Sequence, residues 1–159
     1  MDYHDGFREL GDQECLRLLA TASIGRMIFT RHALPAVLPV RYVLDHDSAI
    51  VVRTSKASPV VVEVDNAVVA FEADCFDEDA RSGWSVVVTG RAGLVRDPGE
   101  CRRLRALDTQ SWANPAGETY IRIACELVAG RSLERPPDAE PSQTRRSRDI
   151  AHGVCDHLF

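Results

Sequence analysis

Five side chains suited to gripping an anion crowd together at Arg53, Thr54, Ser55, Lys56 and Ser58. They follow the β-branched run Ile50-Val51-Val52 and precede Pro59 to Asp65, which reads as one amphipathic helical segment. A second apolar strand, Ala67 to Asp74, comes next. Where a chain leaves a strand and enters a helix, unpaired backbone N–H groups and the positive end of the helix dipole attract an anion. Lys56 is also the only lysine among nineteen basic residues. The corner is therefore read as a grip for a phosphate, the phosphate of a flavin-type cofactor being the ligand we favour. A polar loop with an ordinary helix cap would produce the same local pattern.

Other chemistry is sparse. There is no Gly-x-Ser-x-Gly, no His-Glu-x-x-His and no P-loop in the chain. Asp74, Asp77, Glu78 and Asp79 read as a solvated acidic loop rather than an acid/base pair. Five widely spread cysteines (Cys15, Cys75, Cys101, Cys125, Cys155) lack any Cys-x-x-Cys spacing, which argues against a disulfide framework and a zinc site. They are expected to be small buried or half-buried thiols. The five histidines show no ligand spacing, so no metal is expected. A chain poor in catalytic side chains but equipped with a phosphate corner leaves the hard chemistry to a cofactor.

The elements that must position this corner follow from patterning. A helix opens at Gly11 or Asp12, with Leu16, Leu19 and Ala20 as its buried stripe. Arg26 to Thr30 and Pro35 to Leu44 form two strands around a turn; Pro39 within the second points to an edge or a bulge. Asp45 to Ser48 make a polar turn into the focal strand. Cys75 to Arg81 are expected to be irregular. Gly83 to Ala92 form a long strand, continued to Arg96, whose three valines (Val86, Val87, Val88) imply cover on both faces. Asp97 to Glu100 cap a helix running to Leu107, on which Arg102, Arg103 and Arg105 read as a solvated face. Thr119 to Ala124 and Leu127 to Leu133 are the closing strands. About seven strands with short helices suggest a small antiparallel barrel.

The 159 residues suit one domain, with ordinary apolar (45%) and charged (27%) fractions. A net charge of −5 gives no reason to expect nucleic acid or an anionic membrane as partner. The polar start is unlike a signal peptide and no apolar run approaches a membrane span, so a cytoplasmic location is expected. Residues 1–9 read as an N-terminal extension, 10–134 as the barrel domain, and 135–159 as a disordered or loosely docked tail.

Several fragments occur in a telling order: Gly25 to Thr30, Leu38-Pro39-Val40, Val52-Arg53-Thr54, Val69 to Asp74, and Gly83-Trp84-Ser85-Val86-Val87-Val88-Thr89-Gly90-Arg91. Together they resemble the pyridoxamine 5′-phosphate oxidase-like family of flavin-binding split barrels, nearest its small actinobacterial, nitroimidazole-reductase-like branch. The resemblance implies a six-stranded antiparallel split β-barrel of Greek-key type that forms a homodimer with FMN in clefts between subunits. By resemblance, Arg53, Thr54 and Ser58 match the phosphate side, and Pro39, Val40 and Arg41 the strand along the ring system. Trp84 and Ser85 match positions reaching the cofactor from the partner subunit, and Trp112 a tryptophan near the same cleft. With Ser55 and Lys56 from the corner, these are the expected cofactor-binding residues.

Two departures stand out: Pro59 replaces a common lysine, and Arg41 replaces a small polar residue. The substrate-binding residues of true pyridoxamine phosphate oxidases are absent. The expected activity is an oxidoreductase passing electrons or hydride to a small organic acceptor. An F420-dependent enzyme of the same fold and a non-enzymatic flavin-binding or sensor protein are the alternatives.

Overall fold

A two-residue turn at His32 and Ala33, both at positive φ (50° and 61°), joins β2 (Ile24–Arg31) to β3 (Leu34–Leu44) in the computed structural model. Positive φ at both central residues matches the twist of the flanking strands. The structure describes residues 7–46, 48–107 and 117–133. Trp112 and the 135–159 tail lie outside them.

From this hairpin the chain runs through β4 (Ile50–Ser55), α2 (Val60–Val64), β5 (Val68–Asp77) and β6 (Ser82–Val95). Then come α3 (Pro98–Leu107), β7 (Glu118–Ile123) and β8 (Leu127–Leu133). Before the hairpin stand β1 (Phe7–Leu10) and α1 (Asp12–Leu19). All pairings are antiparallel, and the ring β6-β5-β2-β3-β4-β7 closes back on β6. That is the expected six-stranded split barrel. The length of β6 makes the closure possible: its early residues pair with β5 and β8, and Ala92 to Val95 switch to β7. Gly90 sits beside the switch, where a Cβ would lie 1.7 Å from the Ala124 carbonyl oxygen.

Alternation sets the interior. Met27, Ile50, Phe71, Val86, Val88, Ile121 and Ile123 point inward and are fully buried. Each such side chain contributes roughly 1.5–3 kcal/mol relative to exposure. Tyr42 meets Phe71 edge-on at 4.7 Å and donates its hydroxyl to the Leu19 carbonyl at 2.6 Å, tying the end of α1 to the core. A smaller cluster, Val51, Leu104 and Tyr120, lies outside the barrel under α3. Asp97 caps α3, accepting from the Glu100 N–H at 2.7 Å.

The structure revises several expectations. Residues 7–9 are not an extension: β1 pairs with β8 through Phe7↔Leu133, a four-residue strand too short for a periodic signal. On α1 the buried residues are Cys15 and Leu19, while Ala20 is exposed, because Gly130 of β8 lets the helix approach at Cys15. β5 continues as strand to Asp77, stabilised by its ladder to β6. Cys75 is disulfide-bonded, not a free thiol. Pro39 does lie on an edge, since β4 pairs only with Tyr42 to Leu44 of β3.

Candidate functional site

The corner is built where β4 runs out. Arg53 pairs across to Tyr120 and shares the outer side of the barrel with Val51, whereas Thr54, opposite Thr119, alternates inward. Arg53 is largely buried and contacts Glu118, which Arg105 of α3 also engages. Burial and the neighbouring Glu118 push the Tyr120 phenol up from its ordinary value. Lys56 is exposed and Ser58 half-buried at the opening.

The backbone contributes less than the sequence implied. The Lys56 N–H donates to Gly117 O (2.8 Å), the Ala57 N–H to Ser55 Oγ (3.2 Å) and the Ser58 N–H to Ser55 O (3.0 Å). In α2 the Val61 N–H donates to Ser58 O at 3.1 Å. The helix is only five residues long, with Pro59 at its N-cap and no side-chain cap. A macrodipole grows from aligned peptides, and so short a run supplies little of one. What fits a phosphate here is the side-chain set: the Arg53 guanidinium, the Lys56 ammonium and the Ser58 hydroxyl, with Glu118 as internal counter-charge. Such charge-assisted bonds are the strong ones.

The ring-side positions divide by alternation. Pro39 and Arg41 alternate outward from β3; Val40 faces the core opposite Gly25. Arg41 also lines a depression of about 330 Å³ with Thr21, Ser23 and Tyr42 at the end of α1. Trp84 packs against the core, while Ser85 alternates outward. Within one chain Trp84 and Ser85 stand two strands, β5 and β2, away from β3. A single subunit therefore does not assemble all the expected positions at one place.

Ser85 belongs instead to a broad outer sheet face. One row runs Val37–Ile28–Ala70–Thr89–Leu127, and the next Pro39–Arg26–Glu72–Val87–Ala129. Val37 (60%), Val87 (38%) and Leu127 (70%) are exposed on it. Val87, expected to be covered, is 38% exposed, and among the described residues no element packs over this side of β6. Embedded in the face, the Arg26 guanidinium reaches Glu72 at 2.9 Å and Asp74 at 3.2 Å, and Ser85 Oγ lies 3.4 Å from Glu72. Burial and the charge of Asp74 push the Glu72 carboxyl up.

Behind the corner a second charge network fixes the β3–β4 turn. Asp45, with a side chain only 1% exposed, receives Arg103 at 2.9 and 2.5 Å and Arg122 at 2.6 Å. The His46 backbone N–H adds a bond at 2.8 Å. These partners, Arg103 first, hold the Asp45 carboxyl far below the usual carboxylate range. Arg103 and Arg105 are thus committed to ion pairs and are not simply a solvated face. Glu118, Glu72 and Asp45 were missed in the sequence because their partners are dozens of positions away or on another element. Among the described residues, no group of histidine, cysteine or carboxylate side chains could hold a metal ion, and no helix is long and apolar enough to cross a membrane.

This architecture is that of the flavin-binding split barrels. Residues 11–132 match the sequence pattern of the pyridoxamine 5′-phosphate oxidase family, and the chain belongs to that family. It is 42% identical over 127 residues to the uncharacterized protein Rv0080 of Mycobacterium tuberculosis, covering 77% of this chain and 82% of that one. The structure of the FAD binding protein from Mycobacterium smegmatis superposes with a TM-score of 0.71 at 27% identity, covering 81% of this chain and all (100%) of that one. A conserved protein of unknown function from Corynebacterium diphtheriae, DIP1874, superposes at 0.69 with 32% identity, covering 81% and 99%.

Proposed function

We propose that this protein binds a flavin nucleotide between the subunits of a homodimer and works as an oxidoreductase on a small organic acceptor. The observation that carries the reading is the cationic, hydroxyl-bearing end of β4, in a family member whose 27%-identical relative is an FAD binding protein. A bound flavin would supply the redox chemistry. The chain's own residues hold and orient it. Arg53, Lys56 and Ser58 bind the phosphate, with Thr54 and Ser55 shaping the turn; Glu118 keeps Arg53 extended along the barrel surface. Pro39 and the backbone of Val40 give a flat wall for a ring, and Arg41 offers a cation to its polar edge. Trp84 and Ser85 of the second subunit complete the enclosure, which excludes water.

The dimer reading draws on the outer sheet face, where Val37, Val87 and Leu127 are exposed among the described residues and would gain by being covered. FMN is the cofactor this phosphate corner suits most directly. FAD is the second reading, favoured by the M. smegmatis relative. The mass of the yellow compound released on denaturation distinguishes them, and an F420 spectrum would displace both. Replacing Arg53 and Lys56 together by alanine is expected to abolish flavin occupancy while leaving the oligomer intact; full occupancy in the double variant refutes the phosphate assignment. Steady-state turnover with reduced nicotinamide and a quinone or nitro acceptor supports the enzyme. Tight flavin without turnover means a binder or sensor.

A further inference from the structure

Resting on the homodimer reading, we propose that association through the outer sheet face is proton-linked. Each protomer takes up a proton at the Arg26–Glu72–Asp74 cluster as two copies close, so the dimer tightens as pH falls. One guanidinium faces two carboxylates here, at 2.9 and 3.2 Å, leaving one carboxylate in excess. The cluster shares its face with Val37, Ile24 and Val87, apolar groups that gain by being covered. A two-fold interface is self-complementary, so the same patch appears on both sides. An unneutralised carboxylate would therefore be desolvated near its own copy.

Among the described residues, the other charged groups around Glu72 do not remove this excess. Arg131 on β8, opposite Ser85, lies over the Phe7 ring at 4.8 Å and stands across from Glu9 of β1. Arg41 on β3 lies beyond β2, opposite Ile24. Tyr42, beneath the sheet, is held neutral by burial. Pro39, Val87 and Ser85, its other described neighbours on this face, carry no charge. Glu72 already has its carboxyl pushed up by burial and by Asp74 in the single chain, and cover by a second copy adds to that burial. A group protonated more readily in the dimer than in the monomer favours the dimer at low pH and opposes it as pH rises.

Sedimentation equilibrium of the full chain at fixed salt, from about pH 5.5 to about pH 8, tests this. One proton per protomer limits the change to about a hundredfold in dimer Kd per pH unit, and a rise of at least about tenfold across the range is expected. Glu72→Gln keeps the hydrogen-bonding shape without the titration, so its dimer should be tight and insensitive to pH. Asp74→Asn removes the repelling neighbour and should move the midpoint to lower pH, which a merely structural role would not do. A wild-type dimer of constant Kd, or a Glu72→Gln protein that retains the wild-type rise, overturns the inference and leaves the dimer standing. If both proteins are monomers at every pH, the dimer reading itself fails and this inference falls with it.

Discussion

Removing the Asp45 carboxylate is the sharpest test of how the fold holds the β4 corner in place. Asp45 sits between β3 and β4 and gathers Arg103 from α3 and Arg122 from β7, so one side chain ties three elements together. Deleting one partner of a fully buried ion pair costs about 3–5 kcal/mol, chiefly through the uncompensated charge left behind. Here both arginines are partly accessible, with side chains 39% and 27% exposed, and both stay within reach of Glu100. Water recovers part of the loss, so Asp45→Ala should destabilise by about 2–3 kcal/mol, or roughly 5–10 °C in Tm for a chain of this size. Thermal melts at fixed protein concentration measure it.

The pH dependence gives an independent check. The folded-state pKa of Asp45 is depressed, so its stabilisation is complete above the ordinary value of 3.8 and is lost as pH falls below it. The gap between wild type and Asp45→Ala should therefore be full at neutral pH and narrow progressively as pH falls below about 4. An Asp45→Ala protein melting within about 2 °C of wild type at pH 7, or a gap that persists unchanged in acid, would refute the reasoning.

Two further substitutions probe the packing that positions the site. Gly90→Ala would drive a Cβ to 1.7 Å from the Ala124 carbonyl, where only backbone can yield, so a loss above about 3 kcal/mol or insoluble expression is expected, read by urea unfolding. Tyr42→Phe deletes the 2.6 Å bond to the Leu19 carbonyl without changing shape and should cost about 1–2 kcal/mol, with hydrogen exchange quickening at the end of α1.

Much of the fold was legible because its signals are local. The β-branched runs at Ile50 to Val52 and Val86 to Val88, the Asp97-Pro98 helix start and the edge proline at Pro39 each act through neighbouring backbone. Their outcome does not depend on distant partners. β1 and the extension of β5 to Asp77 were not legible, since both exist only through ladders to strands formed elsewhere in the chain. The same division runs through the site. Residue types at Arg53, Lys56 and Ser58 suggested an anion grip in the sequence, but only the fold showed that the turn's Lys56, Ala57 and Ser58 N–H groups are already bonded within the protein.

By itself, then, the amino-acid order determined most strands and helices, the amphipathic alternation and the chemical character of the β4 corner, because these follow from backbone sterics and side-chain period. Tertiary structure alone decided which charges meet. Glu118 restrains Arg53, Asp45 binds two arginines, and Arg26 bridges Glu72 and Asp74, because Coulomb energy depends on distances that only strand register and barrel closure set.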